Sequence, residues 1–337
     1  MNKTILILLS VVLLLTSCDE EKKAASPKKS QTLSAPYELL LVANKDWLKT
    51  ANGSVFMDAV NQDIPGLPQK EPNFRVTSIN PSAFRGTFTV YANVINVDID
   101  KKYKEPKFVL SRDVYVNPQI ILSIQAPNDV ALIQLVEKNK ANFLDVFINA
   151  ELERECDYLT STHSGAVYDA VKKKFGYTIC APKDIDKVNK ESDNFLWASA
   201  NGRSNELNLC VYTYPYTSTS TFTLDYFTQK RDSVMKENVQ GEKEGQYVIT
   251  EQYALSEKHK NGKDGYIYEV RGLWEMENDM MGGPFVSYSQ VDIKNNLVVV
   301  VEGFVYAPKK DKRELIREME AALMTLKLNS STPASSK

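Results

Sequence analysis

The chain has 337 residues, 43% of them hydrophobic and 25% charged, as in an ordinary globular protein. Its 41 Lys and Arg against 43 Asp and Glu leave a net charge of −2, which argues against a phosphate-binding surface and so against nucleic acid as a partner. A chain of this length outgrows one hydrophobic core, and two domains are expected.

The first element is Lys3 followed by an apolar run from Ile5 to Leu15, closed by Leu15-Thr16-Ser17-Cys18. That run is too short for a membrane-spanning helix, which needs about 20 residues. It has the arrangement of a bacterial lipoprotein signal. Residues 1–17 are expected to be removed, and Cys18 to carry the acyl chains, palmitate among them, that hold the protein in a lipid bilayer. The acidic cluster Asp19, Glu20 and Glu21 is similar to the export signal of many Bacteroidetes lipoproteins. The expected location is therefore the outer membrane, surface-exposed or facing the periplasm. Residues 18–35 lack apolar groups and read as a flexible tether.

An N-terminal α+β domain is expected over residues 36–156. It opens with a strand over Glu38–Ala43 and a helix near Ser54–Gln62, then strands near Arg75–Ile79, Thr87–Val97 and Val109–Val116. The run from Asn117 to Ala126 is a further strand. Pro127 sits at a helix entry, where proline is tolerated, and the helical spacing of Leu132, Leu135, Val136, Phe143, Leu144, Phe147 and Ile148 continues from Asp129 to Cys156. Unbroken, that helix is about 28 residues and about 42 Å long.

A C-terminal α+β domain is expected over residues 157–328. Its elements are a helix near Ala166–Lys174, strands over Tyr177–Ala181 and Leu207–Tyr214, and a helix near Leu224–Val239. Strands near Tyr247–Tyr253, Tyr266–Val270 and Val286–Ile293 follow, with Lys260 to Gly265 as a hairpin connection. Leu297–Val301 is apolar on both strand faces, so it should be covered on both sides or lie at a subunit contact. Ala307-Pro308 then enters a helix, repeating the strand, Ala-Pro, helix order seen at Ala126-Pro127. The fold class expected is α+β with two tandem, duplicated domains, each a mostly antiparallel sheet with packed helices; one continuous α+β domain is the alternative. Residues 329–337 are small and polar and read as a disordered tail.

Candidate chemistry is sparse. His163 and His259 lie far apart without a nucleophile elbow, so no catalytic triad is expected, and Cys156 with His163 is half a zinc site at most. Cys156, Cys180 and Cys210 are compatible with one disulfide, between Cys180 and Cys210, or with three buried thiols. The alternating Tyr212, Tyr214 and Tyr216 offer three rings on one strand face, beside a Ser/Thr run that can hold a sugar or peptide edge. Asp232-Ser233-Val234 resembles a short O-glycosylation acceptor motif. In Arg271-Gly272-Leu273-Trp274-Glu275-Met276-Glu277-Asn278-Asp279, an extended backbone places Glu275, Glu277 and Asp279 on one face and Trp274 on the other. Three carboxylates in line suit acid–base work or a calcium ion. No metal or other cofactor is expected.

The lipobox, the two-part α+β chain and the stretch from Arg271 to Phe285 resemble a Bacteroidetes lipoprotein family catalogued as a domain of unknown function, over about Pro36 to Leu328. The resemblance implies lineage, anchor and approximate fold; it carries no activity and no catalytic residues. The function expected is that of a non-enzymatic envelope lipoprotein binding a partner protein or envelope polymer through an interdomain groove and the Trp274–Phe285 segment. The alternatives are a hydrolase or calcium-dependent enzyme using Glu275, Glu277 or Asp279, and an assembly factor self-associating through Leu297–Val301.

Overall fold

The computed structural model describes residues 32, 34–200, 206–262 and 265–328. The expected signal 1–17, Cys18, the Asp19–Glu21 cluster and the tail 329–337 lie outside the described residues.

Two sheets carry the chain. The smaller contains β1 (Glu38–Val42), β2 (Arg75–Ile79), β3 (Asn93–Ile99), β4 (Lys107–Arg112) and β5 (Ile120–Ala126), in the order β2-β1-β3-β5-β4. The larger contains β6 (Ile185–Ser192), β7 (Phe195–Ala200), β8 (Glu206–Pro215), β9 (Val248–Gly262), β10 (Gly265–Met276), β11 (Gly282–Asp292) and β12 (Leu297–Tyr306), in the order β6-β7-β8-β12-β11-β10-β9. The helices are α1 (Ala51–Val60), α2 (Asp129–Lys138), α3 (Asp145–Thr162), α4 (Gly165–Phe175), α5 (Leu224–Asn238) and α6 (Arg313–Met324). The fold is α+β, with two tandem sheet-and-helix units.

Every pairing in the larger sheet is antiparallel. The smaller sheet differs, because three of its four pairings are parallel and only β4 runs against β5. Leu39, Leu40, Leu41 and Val42 are buried on both faces of β1, the sequence pattern of a parallel central strand. The strand, Ala-Pro, helix order does recur, from β5 into α2 and from β12 into α6. Its settings differ: β5 pairs parallel with β3, whereas β12 is antiparallel to both neighbours.

The expected long helix after Pro127 is broken. Asn139 ends α2 and its side-chain amide donates to the Leu135 carbonyl at 2.7 Å; a 3-10 turn over Lys140–Asn142 follows before α3 begins. The break turns Phe143 inward, where its ring lies 6.1 Å from Phe56 and 6.0 Å from Phe108. The periodicity was right on both sides of the break but cannot show a bend that keeps the apolar face in phase. Tyr177–Ala181 is not a strand, since only Thr178 forms a bridge, to Lys327. In place of a Thr87–Val97 strand there is a 3-10 turn over Gly86–Val90 and then β3.

Near α1, local chemistry is decisive. Thr50 accepts from the Gly53 N–H and caps the helix, and Gly53 is the residue that fits there, because a Cβ would stand 2.2 Å from the Trp47 carbonyl oxygen. In the larger sheet, α4 and α6 cover one face and α5 the other. The buried Arg231 of α5 donates to Glu302 of β12 at 3.0 Å and 2.8 Å and to the Thr250 hydroxyl at 2.7 Å. β12 lies between β8 and β11 with both faces buried. Leu297–Val301 is therefore the centre of a sheet and offers no edge or face for self-association.

The two units meet at α6. Its first N–H groups receive no cap from its own side chains. Glu71, between α1 and β2, supplies the acceptor: its carboxylate takes the Lys312 N–H at 2.9 Å and the Arg313 N–H at 2.8 Å. Arg317 reaches Asn73, Arg75 pairs with Glu314, and α3 packs Leu152 and Leu159 against Ala321 and Ala322. A carboxylate at a helix start is favoured by the dipole, and two buried donors left without an acceptor cost about 1–3 kcal/mol each. Glu71→Ala is expected to lower stability by about 2–3 kcal/mol in urea unfolding, and Glu71→Gln by less, because the amide oxygen still accepts.

Candidate functional site

On the α5 face of the larger sheet, beyond the end of α5, a trough of about 650 Å³ is lined by Trp197 of β7, Asn208 of β8, Tyr306 of β12 and Trp274 of β10. Alternate residues of adjacent strands share a sheet face, which brings these four together from distant parts of the chain. Glycine in β11 makes the floor. A Cβ on Gly283 would stand 2.0 Å from the Val305 carbonyl oxygen and 3.2 Å from Trp274 Nε1, so the buried indole packs over a position of that strand segment that has no room for a side chain. Trp274 Nε1 donates to that same carbonyl at 3.2 Å, and the ring meets Phe304 edge-on at 5.3 Å. Trp197 Nε1 donates to Asn208 Oδ1 at 2.9 Å, leaving the face of the half-buried indole toward the trough. Amide and charged side chains at the rim include Asn189, Gln240, Gln246 and Lys243. Flat apolar rings with amides at their margin suit a ligand that has an apolar face and polar edges.

The segment singled out in the sequence is divided by the fold. Trp274 and Asp279 reach this trough, and Asp279 accepts from Gln246 Nε2 at 2.8 Å. Glu275 instead faces Glu251 and lines a separate groove with Glu277; desolvation and then the Glu251 charge push its carboxyl up. The backbone is extended only to Met276 and then turns, with Asn278 at a positive φ of 58°. The three carboxylates therefore do not form a line, because a turn sets consecutive side chains in different directions. Among the described residues no group of three or more His, Cys, Asp or Glu is placed to hold a metal ion.

Tyr212 and Tyr214 do not make an open platform. Both are buried under α5, stacked on each other and on Phe195, while the half-buried Tyr216 packs against Phe222. The open rings are Trp197 and Tyr306, which the sequence reading passed over; the alternation of Phe195, Trp197 and Ser199 before the Asn208 strand is the signal that carries them. No disulfide joins Cys156, Cys180 and Cys210, and Cys180 lies off any strand. His163 packs against Tyr168 at the end of α3, and His259 against Tyr266 and Tyr268. Ser233 is exposed on α5, and the neighbouring Asp232 is held by the Thr250 N–H at 2.9 Å.

The interdomain groove exists, on the other face of the sheet. It is a cleft of about 980 Å³ between the α3 start and β9, β10 and α6. At its floor Arg271 donates to Glu269 at 2.6 Å and pairs with Glu320; Arg317 donates to Glu320 at 2.6 Å, Lys260 pairs with Glu269, and the Tyr288 hydroxyl reaches Glu320 at 3.2 Å. Burial by itself would raise the Glu320 carboxyl, but Arg271 and Arg317 outweigh it and hold it well below the usual carboxylate range. Trp274 points to the α5 side and Arg271 to the α6 side, so the groove and the Trp274 segment form two separate sites.

The comparisons with known proteins agree with two units. Residues 32–159 match the family model described as Domain of unknown function (DUF8532), and residues 164–325 match the one described as Domain of unknown function (DUF4837). No curated protein matches. Among solved structures, the human StarD13 (DLC2) lipid transfer and protein localization domain is similar at 12% identity, over 48% of this chain and 94% of that one. Its TM-score is 0.21, and it carries neither fold nor function to this protein. Among the described residues no helix is long and apolar enough to cross a membrane.

A carboxylate whose pKa is depressed on folding stabilises the protein above its unfolded pKa, and that contribution is lost as the pH falls. The Glu320 contribution should be complete above about pH 4.3 and decline below it. Glu320→Gln leaves two arginines without their shared counter-ion and is expected to cost about 3 kcal/mol at pH 7. In urea unfolding across pH, the gap between variant and native protein should narrow toward strong acid.

Proposed function

We propose that the protein is a non-enzymatic envelope lipoprotein, held in the outer membrane by acylated Cys18, that binds an envelope polymer or partner protein in the trough of Trp197, Trp274 and Tyr306. The observation that carries the reading is the trough itself, where the open rings of Trp197 and Tyr306, with the buried Trp274 at the base, are set among amides at the end of an antiparallel sheet. A glycan strand fits this chemistry best, since a pyranose ring has an apolar face for stacking and hydroxyls at its edge for amides. The lipobox supports the anchor, and the acidic Asp19–Glu21 flank supports export to the cell surface.

Titration with soluble fragments of hydrolysed peptidoglycan and of surface polysaccharide, read by tryptophan fluorescence, tests the trough. Trp197→Ala should weaken binding about tenfold or more, as loss of an aromatic anchor does, whereas Trp197→Phe should keep most of it. Binding unaffected by Trp197→Ala removes the trough from the function.

The anchor has its own test. Cys18→Ala should abolish labelling by a clickable fatty acid and leave the unfolding transition of the two units unchanged, because the thiol is the only acceptor for the diacylglyceryl group. Replacing Asp19, Glu20 and Glu21 together should leave acylation intact and convert a protease-accessible protein in whole cells into a protected one.

A further inference from the structure

The two faces of the small sheet are built differently. Helices α1, α2 and α3 cover one face. The other, formed by Leu40, Val42, Val94 and Ile121, is roofed only by residues 80–92, whose 3-10 turns bring Phe84, Phe88 and Tyr91 over it. A roof without a helix leaves those rings partly exposed. Beside them Val114 and Tyr115 are 47% and 48% exposed. Tyr115 meets Phe84 edge-on at 5.8 Å. Gln119 ties the two segments together, accepting the Tyr115 N–H at 3.0 Å and donating to the Thr89 and Tyr91 carbonyls at 2.8 Å each. Arg85, exposed, follows Phe84 directly.

The described chain begins against this same patch. The Thr32 hydroxyl donates to the Val90 carbonyl at 2.9 Å, and Ser34 Oγ accepts the Ala92 N–H at 2.9 Å. Cys18 lies fourteen residues before Thr32, a stretch that spans at most about 50 Å.

We infer that this aromatic patch on the small sheet, with Arg85 beside it, is the face that rests on the lipid bilayer, an inference that relies on the anchor at Cys18 proposed above. Phenylalanine and tyrosine rings are favoured at the headgroup level, where one end is apolar and the other wet. Arg85 near an anionic leaflet adds electrostatic attraction. Tethering raises the local concentration of the patch at the surface, so contacts too weak to recruit a free protein suffice to orient an anchored one. The chain enters at the patch, and no helix covers it. A lipid surface is the occupant that both facts favour over a second copy of the chain.

The acylated full chain is reconstituted in vesicles of phosphatidylethanolamine and phosphatidylglycerol, carrying a benzophenone amino acid in place of Tyr115 or, as control, of the exposed Ser233. Phospholipid adducts should be several-fold more abundant from position 115. Arg85→Glu should lower that yield at low salt and much less at high salt, where the attraction is screened. Equal adduct yields at 115 and 233 overturn the inference, and so does a chain-to-chain adduct from 115, which would assign the patch to a second copy. Intact mass of the same sample reads the acyl state separately. An unacylated chain refutes the anchor, and lipid adducts from position 115 of that chain then decide the patch by themselves.

Discussion

The start of α6 is the constraint on which the two-unit arrangement rests. A helix begins with N–H groups that have no partner within it, and here that end is buried, with a lysine at the capping position that does not cap it. The acceptor comes from Glu71, 241 residues earlier. One carboxylate therefore closes the second unit onto the first, and everything nearby follows its position. Arg313 reaches the Pro72 carbonyl at 3.2 Å, Arg317 reaches Asn73, and Leu67 packs into the core beneath α6.

Fixing α6 also sets the character of the larger sheet's two faces. On the α6 side, three cations share two carboxylates at the floor of the cleft. The desolvation of such a cluster offsets most of its attraction, so its effect is on geometry more than on net stability. On the α5 side, Arg231 and Glu302 form a second buried pair, and the sheet beyond α5 is left to aromatic rings. The ion-paired cleft holds polar side chains in fixed positions and leaves Arg317 Nε without a hydrogen-bond partner. The trough presents ring faces whose polar atoms are already satisfied within the protein, as with Trp197 Nε1 on Asn208. A surface of that kind binds by shape and apolar contact and leaves specificity to the amides at its rim.

The small sheet plays a different part. Its parallel strands and three covering helices form a core of their own, and its remaining face is the region of the described chain adjoining residue 32.

The α+β class, two units, the strand cores and most helix positions were legible in the sequence, because period 2 and period 3.6 record which residues face a core. Thr50 with Gly53 and Pro127 with Asn128 mark helix starts by local chemistry that needs no distant partner. What the sequence could not determine depends on which strands become neighbours. Trp274 reads as one aromatic in an acidic stretch until β11 and β12 bring Gly283 and Tyr306 beside it. Tyr212 and Tyr214 read as a platform until α5 closes over them, and Leu297–Val301 reads as a sticky strand until β8 and β11 flank it. The bend at Asn139 is invisible because the apolar period continues through it. Sequence alone determined what each segment buries; the tertiary structure decided against what, since strand order is set by pairings up to 100 residues apart and the docking of α6 by a contact 241 residues apart.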